Sequence, residues 1–142
     1  MSANDYILPR VTPLSAAYWE GCRIGELRLQ HCLDCGHVQL PPRFHCTRCR
    51  GSRLEWRASS GRGRVESFTW IHIPLAEAWA HEVPYAVALI RLEEGPMMMS
   101  NLRECSESQL SVGLEVTVTF EARNETIHLP QFRPAGEEEV TP

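Results

Sequence analysis

The chain has 142 residues, 43% of them hydrophobic, with a formal net charge of −4. That length allows one ordinary core, or a small module joined to a domain of about 80 to 100 residues, and excludes a large enzyme fold. No apolar run reaches the roughly 18 residues needed to span a bilayer, and the polar start from Met1 to Tyr6 lacks the pattern of a secretory signal, so the chain is read as cytosolic.

The predicted elements begin with a short helix, for which Thr12 is the expected cap and Pro13 the first helical position. Leu14, Ala17 and Tyr18 recur at helical spacing until Gly21 and Gly25 weaken the pattern. Tyr18 and Trp19 are a large apolar load for so short an element. Two readings stand: they pack on the chain's own core, or they dock onto a partner subunit.

Residues 26–31 alternate as a strand into the first of two Cys-x-x-Cys pairs, and Val38, Gln39 and Leu40 return from it. Cys32 and Cys35 form the first pair, Cys46 and Cys49 the second, ten residues on. In a reducing compartment disulfides are disfavoured, so such spacing points first to metal and second to redox chemistry. Gly36 follows Cys35 where a tight knuckle needs positive φ. Four thiolates make a closed tetrahedral site with no open position, which is structural zinc, although iron fits the same sulfur set in purified material. Arg43, Arg48, Arg50 and Arg53 gather around the second pair, either as a solvated surface or as a phosphate or acidic-partner site.

From residue 54 the period becomes two, with expected strands at 54–58, 64–73, 85–92, 97–102, 115–121 and 127–132. Five or six antiparallel strands in this length predict a small closed barrel of the OB type. The loop between residues 74 and 84 carries Trp79, a candidate contact for a ligand or partner. No internal repeat is evident. The fold class is mainly β, divided into an N-terminal arm and helix (1–25), a zinc ribbon (26–53), a barrel (54–134) and a disordered acidic tail (135–142).

Charge divides unevenly across this plan. Residues 1–53 hold seven Arg and four acids, net +3, whereas residues 54–142 hold seven Arg and fourteen acids, net −7. An acidic barrel argues against broad nucleic-acid binding, which draws on clustered positive charge. A catalytic constellation is hard to assemble: His72, His81 and His128 lack a strained nucleophile beside them in sequence, and Cys22 and Cys105 read as small buried hydrophobes.

The order of the motifs resembles one known family. It is carried by Cys32-Leu-Asp-Cys35-Gly36, Pro41-Pro-Arg43 before Cys46-Thr-Arg-Cys49, Ser60-Gly-Arg-Gly-Arg-Val65, Pro84-Tyr-Ala-Val-Ala-Leu89, Gly113-Leu-Glu-Val-Thr-Val-Thr-Phe120 and Pro130-Gln-Phe-Arg-Pro134. This is the family of small acyl-CoA-associated proteins with an N-terminal helix, a rubredoxin-like zinc ribbon and a C-terminal OB-fold. The resemblance implies a non-catalytic accessory subunit that binds and stabilises a thiolase-superfamily enzyme: a thiolase, an acyltransferase or a steroid side-chain aldolase. It implies Cys32, Cys35, Cys46 and Cys49 as metal ligands, and leaves Arg43 and Arg48 as the candidate contacts for CoA. The alternatives are a ribbon-plus-OB module for single-stranded nucleic acid, and a stand-alone enzyme acting on CoA thioesters through His72 or His81.

Overall fold

The computed structural model describes residues 7–136. Within them, Thr12 and Ser15 exchange hydrogen bonds: Thr12 N–H donates to Ser15 Oγ at 3.0 Å and Ser15 N–H donates to Thr12 Oγ1 at 3.1 Å. This reciprocal exchange has the form of a capping box, but it closes a turn. Helix α1 (Ala16–Arg23) therefore starts later than the expected cap at Thr12, and its own N-cap, Ser15, gives it no side-chain bond. The helix ends in a Schellman arrangement: Glu26 N–H donates to Gly21 O at 2.7 Å, Gly25 N–H donates to Cys22 O at 3.2 Å, and Gly25 takes φ 88°. Its buried face, Tyr18, Gly21 and Cys22, follows the i, i+3, i+4 rule and lies against strands of both sheets.

Strands β1 (Arg28–Cys32), β2 (Val38–Gln39) and β3 (Leu54–Ala58) form an antiparallel sheet in the order β2-β1-β3. The sequence pattern counted 54–58 with the barrel. Its backbone partners instead lie on β1, from Arg28↔Ala58 to Cys32↔Leu54. Strands β4 (Arg62–Ile71), β5 (Tyr85–Leu92), β6 (Met97–Leu102), β7 (Glu115–Ala122) and β8 (His128–Pro134) close a barrel in the order β4-β5-β6-β8-β7. The β6–β8 pairing is parallel and the others are antiparallel, the strand order of an OB-fold. Closure leaves the barrel itself no free sheet edge. β4 begins earlier than expected because residues 62–64 pair with β7, and the strand pairs with β5 on both sides of a register shift between Val65 and Ser67.

One apolar cluster joins the two sheets. It holds Tyr18, Cys22, Leu27 and Leu29 from the helix and β1 region with Val65, Ala86, Ala88, Ile90, Leu92, Val116 and Phe132 from the barrel. The segment between β3 and β4 is tied down by Glu94 from the β5–β6 turn, whose carboxylate accepts from Ser59 Oγ at 2.9 Å and Ser60 N–H at 2.8 Å. Most of the expected acidic tail, residues 137–142, and the start of the N-terminal arm lie outside the described residues.

Candidate metal centre

Two turns bring the four cysteines together, and they are backbone copies of one another. Gly36 N–H donates to Cys32 O at 2.9 Å and Cys32 N–H to His37 O at 2.8 Å; Arg50 N–H donates to Cys46 O at 2.9 Å and Cys46 N–H to Gly51 O at 2.8 Å. The sequence shows no repeat because the position that is Gly36 (φ 81°) in the first knuckle is Arg50 (φ 66°) in the second. A side chain in the left-handed region costs roughly 1–2 kcal/mol, which the surrounding bonds must hold in place.

All four sulfurs lie within 4.8 Å of one another, with Cys32 Sγ to Cys49 Sγ and Cys35 Sγ to Cys46 Sγ both at 3.6 Å. A regular tetrahedron with Zn–S bonds of about 2.3 Å has edges of about 3.8 Å, whereas a disulfide would require about 2.05 Å. The donor set thus fits a structural zinc ion. Backbone N–H groups already point at the sulfurs: Arg48 and Cys49 donate to Cys46 Sγ at 3.3 and 3.4 Å, and Gly51 donates to Cys49 Sγ at 3.3 Å. Desolvation opposes ionisation of Cys46, but the N–H groups of Cys49 and Arg48, together with hydrogen bonds from the Cys35 and Cys32 thiols, lower its thiol to about 6. A Cβ at Gly51 would stand 2.7 Å from Asp34 Oδ2 and 3.2 Å from Cys49 Sγ, so a side chain there would have to displace the Asp34 carboxylate. Asp34 in turn receives Arg53 Nη2 at 2.6 Å and Nε at 2.9 Å, joining the first knuckle to the start of β3.

The second knuckle hangs on two glutamines that face each other across β1 and β2. Gln30 and Gln39 are only 3% and 5% exposed. Gln30 Oε1 accepts from Arg43 N–H at 2.9 Å and Gln30 Nε2 donates to Arg43 O at 3.0 Å. Gln39 Nε2 donates to Gln30 Oε1 at 2.9 Å and to His45 O at 3.2 Å, while Gln39 Oε1 accepts from Thr47 N–H at 2.9 Å and Thr47 Oγ1 at 3.2 Å. Buried side-chain amides so completely used make the loop between β2 and Cys46 part of the framework. Strand alternation gives no sign of them, because a glutamine on a half-buried strand reads as solvent-facing.

The other sequence candidates fall in separate places. Tyr18 is buried in the chain's own core, with its ring edge-on to Trp19 at 5.0 Å, and burial raises its hydroxyl pKa. Trp19 is half-buried against the same cluster. Trp79 is also half-buried, 6.4 Å from the Tyr85 ring and 5.8 Å from the Arg123 guanidinium. Its loop is held by Glu82, which pairs with Arg103 at 3.3 Å. Arg43 and Arg48 stand exposed on the ribbon. Neither lines the cleft of about 680 Å³ on the barrel wall, which is formed by Arg62, Arg64, Arg91, Glu93 and Glu115 among others. His72 and His81 are exposed and His128 is half-buried. Cys22 is fully buried, and desolvation pushes its thiol up to about 12; Cys105, outside the ribbon, is likewise pushed up by burial. Neither is a thiolate at neutral pH, which removes them as ready nucleophiles.

Comparison with known proteins gives two adjoining family matches. Residues 19–55 match the domain described as "ChsH2, rubredoxin-like zinc ribbon domain", and residues 56–121 match "ChsH2, C-terminal OB-fold domain". A DUF35 domain-containing scaffold protein of Methanothermobacter thermautotrophicus is 38% identical over 90 residues, 63% of this chain and 67% of that protein. The 3-oxo-4,17-pregnadiene-20-carboxyl-CoA hydratase alpha subunit of Mycobacterium tuberculosis is 33% identical over 106 residues, and the match spans 75% of this chain but only 33% of that longer protein. Among solved structures, a chain of an "Ltp2-ChsH2(DUF35) aldolase" superposes with a TM-score of 0.81 at 29% identity, covering 90% of this chain and 99% of that one.

Proposed function

The chain belongs to the ChsH2 family of DUF35-domain proteins, and from that premise we propose that it is a non-catalytic accessory subunit of a thiolase-superfamily enzyme acting on acyl-CoA substrates. The observation that carries this reading is the extent of the likeness to the aldolase subunit, which runs through helix, ribbon and barrel together. A shared motif would account for the ribbon alone. Sharing the whole arrangement supports a shared mode of association with an enzyme.

The chemistry of the chain supports a structural role. A site closed by four sulfurs gives zinc no position for water or substrate, so Cys32, Cys35, Cys46 and Cys49 are assigned as ligands that hold the ribbon in shape. Such sites contribute on the order of 10 kcal/mol of apparent folding free energy, which a ribbon with two short knuckles and little apolar core of its own requires. Arg43 and Arg48, both exposed on the ribbon, are assigned to its functional surface, as contacts for CoA phosphates or for an acidic partner. The described residues contain no helix long and apolar enough to cross a membrane.

Co-expression with a thiolase-like enzyme from the same genome, followed by size-exclusion chromatography and metal analysis, tests the proposal. A stable hetero-oligomer with zinc in the ribbon is the expected result. Independent elution of the two zinc-replete proteins would remove the reading.

A further inference from the structure

The geometry points to Phe44 as the anchor by which the ribbon docks into an apolar, acid-rimmed pocket on the thiolase-like partner, an inference that rests on the accessory-subunit reading. Phe44 is 72% exposed. A single exposed hydrophobe on a loose loop would need no explanation, but this loop is held on both sides of the ring. The N–H and C=O of Arg43 are both bonded to the Gln30 side chain at 2.9 and 3.0 Å, and the C=O of His45 receives Gln39 Nε2 at 3.2 Å. Cys46 follows at once, its sulfur 3.6 Å from that of Cys35. Pro41 and Pro42 fix φ on the entering side.

Such a frame holds the backbone on either side of an aromatic side chain while the ring stays in water. Little backbone ordering entropy remains to be lost when the ring enters a pocket, and aromatic anchors carry most of the energy in many interfaces. The surroundings specify the rim of that pocket. Arg43, Arg48 and Arg50 are exposed and make no ion pair among the described residues, whereas Arg53 is paired with Asp34. Residues 1–53 carry seven Arg against four acids. A ring among unpaired guanidinium groups fits an apolar pocket bordered by carboxylates, with the charges steering encounter.

Isothermal titration of the zinc-loaded full chain with the thiolase-like enzyme from the same genome tests this. Phe44→Ala should weaken Kd by about tenfold or more and Phe44→Leu by only about threefold, with zinc content unchanged because the ring lies outside the core. Benzoylphenylalanine in place of Phe44 should crosslink to the partner on irradiation. If the wild-type chain binds, and Phe44→Ala binds within twofold of it or no crosslink forms, the docking site is wrong while the accessory role stands. If the wild-type chain does not bind, the accessory reading itself fails and the docking site with it.

Discussion

Replacing Gln39 with methionine keeps the length and approximate volume of the side chain and removes every polar atom from it. The amide contacts Gln30 Oε1, His45 O, Thr47 N and Thr47 Oγ1 at 2.9, 3.2, 2.9 and 3.2 Å, in a site where Gln39 is 5% exposed. At about 0.5–1 kcal/mol for each of the four neutral bonds, two of them long at 3.2 Å, the loss amounts to roughly 2–4 kcal/mol. Apolar burial of the thioether offsets about 1 kcal/mol of it. A net loss of about 2 kcal/mol falls on the loop that presents Cys46 and Cys49, so ordering this loop draws on metal-binding free energy. The zinc Kd should rise about 30-fold, since each 1.4 kcal/mol is tenfold. Competition with a chromophoric chelator at fixed pH measures this directly, with far-UV circular dichroism following the barrel. Zinc affinity within twofold of wild type would refute the claim that the glutamine pair holds the second knuckle.

Arg50→Gly should stabilise the zinc-loaded chain by about 0.5–1 kcal/mol, because glycine accepts the φ of 66° that arginine holds at a cost; a higher guanidinium midpoint would show it. Stability should fall as pH rises above about 9, where the unfolded Cys22 thiol ionises while the folded thiol, pushed up to about 12 by burial, stays protonated. The stabilisation is complete below the unfolded pKa and is lost as pH rises through the folded one, so Cys22→Ala should flatten the slope of the denaturation midpoint between pH 9 and about 11. Removing zinc with a strong chelator should abolish amide-exchange protection in residues 28–58 before it affects β5 and β6, as hydrogen exchange read by mass spectrometry would reveal.

Alternation along Tyr85–Leu92, buried at every second residue through most of its length, places β5 to the residue from sequence, and Met97–Leu102 follows the hairpin turn before it. The Cys-x-x-Cys pairs announce the metal centre for an equally local reason, since ligand identity and spacing are written in adjacent residues. What fails to show is non-local. Leu54–Ala58 reads as a strand, but alternation names no partner, and the strand pairs with β1 instead of entering the barrel. Gln30 and Gln39 look like solvent-facing residues because nothing in the local pattern says that loop 41–47 folds back over that face. Cys46 and Cys49 announce the second knuckle, but Arg50 in the place of a glycine conceals that its backbone repeats the first. Thr12 and Pro13 give a helix-start signal, yet the Thr12–Ser15 exchange spends it on a turn.

The role proposed for this chain lies in what it does for another protein, and reconstitution measures that most directly. A thiolase-like enzyme from the same genome, purified alone, would be titrated with the zinc-loaded chain while turnover of its acyl-CoA substrate and the mass of the assembly by light scattering are followed together. A saturable rise in activity or lifetime that reaches its plateau at the stoichiometry of a defined hetero-oligomer is expected. Activity and mass that stay unchanged across the titration would contradict it.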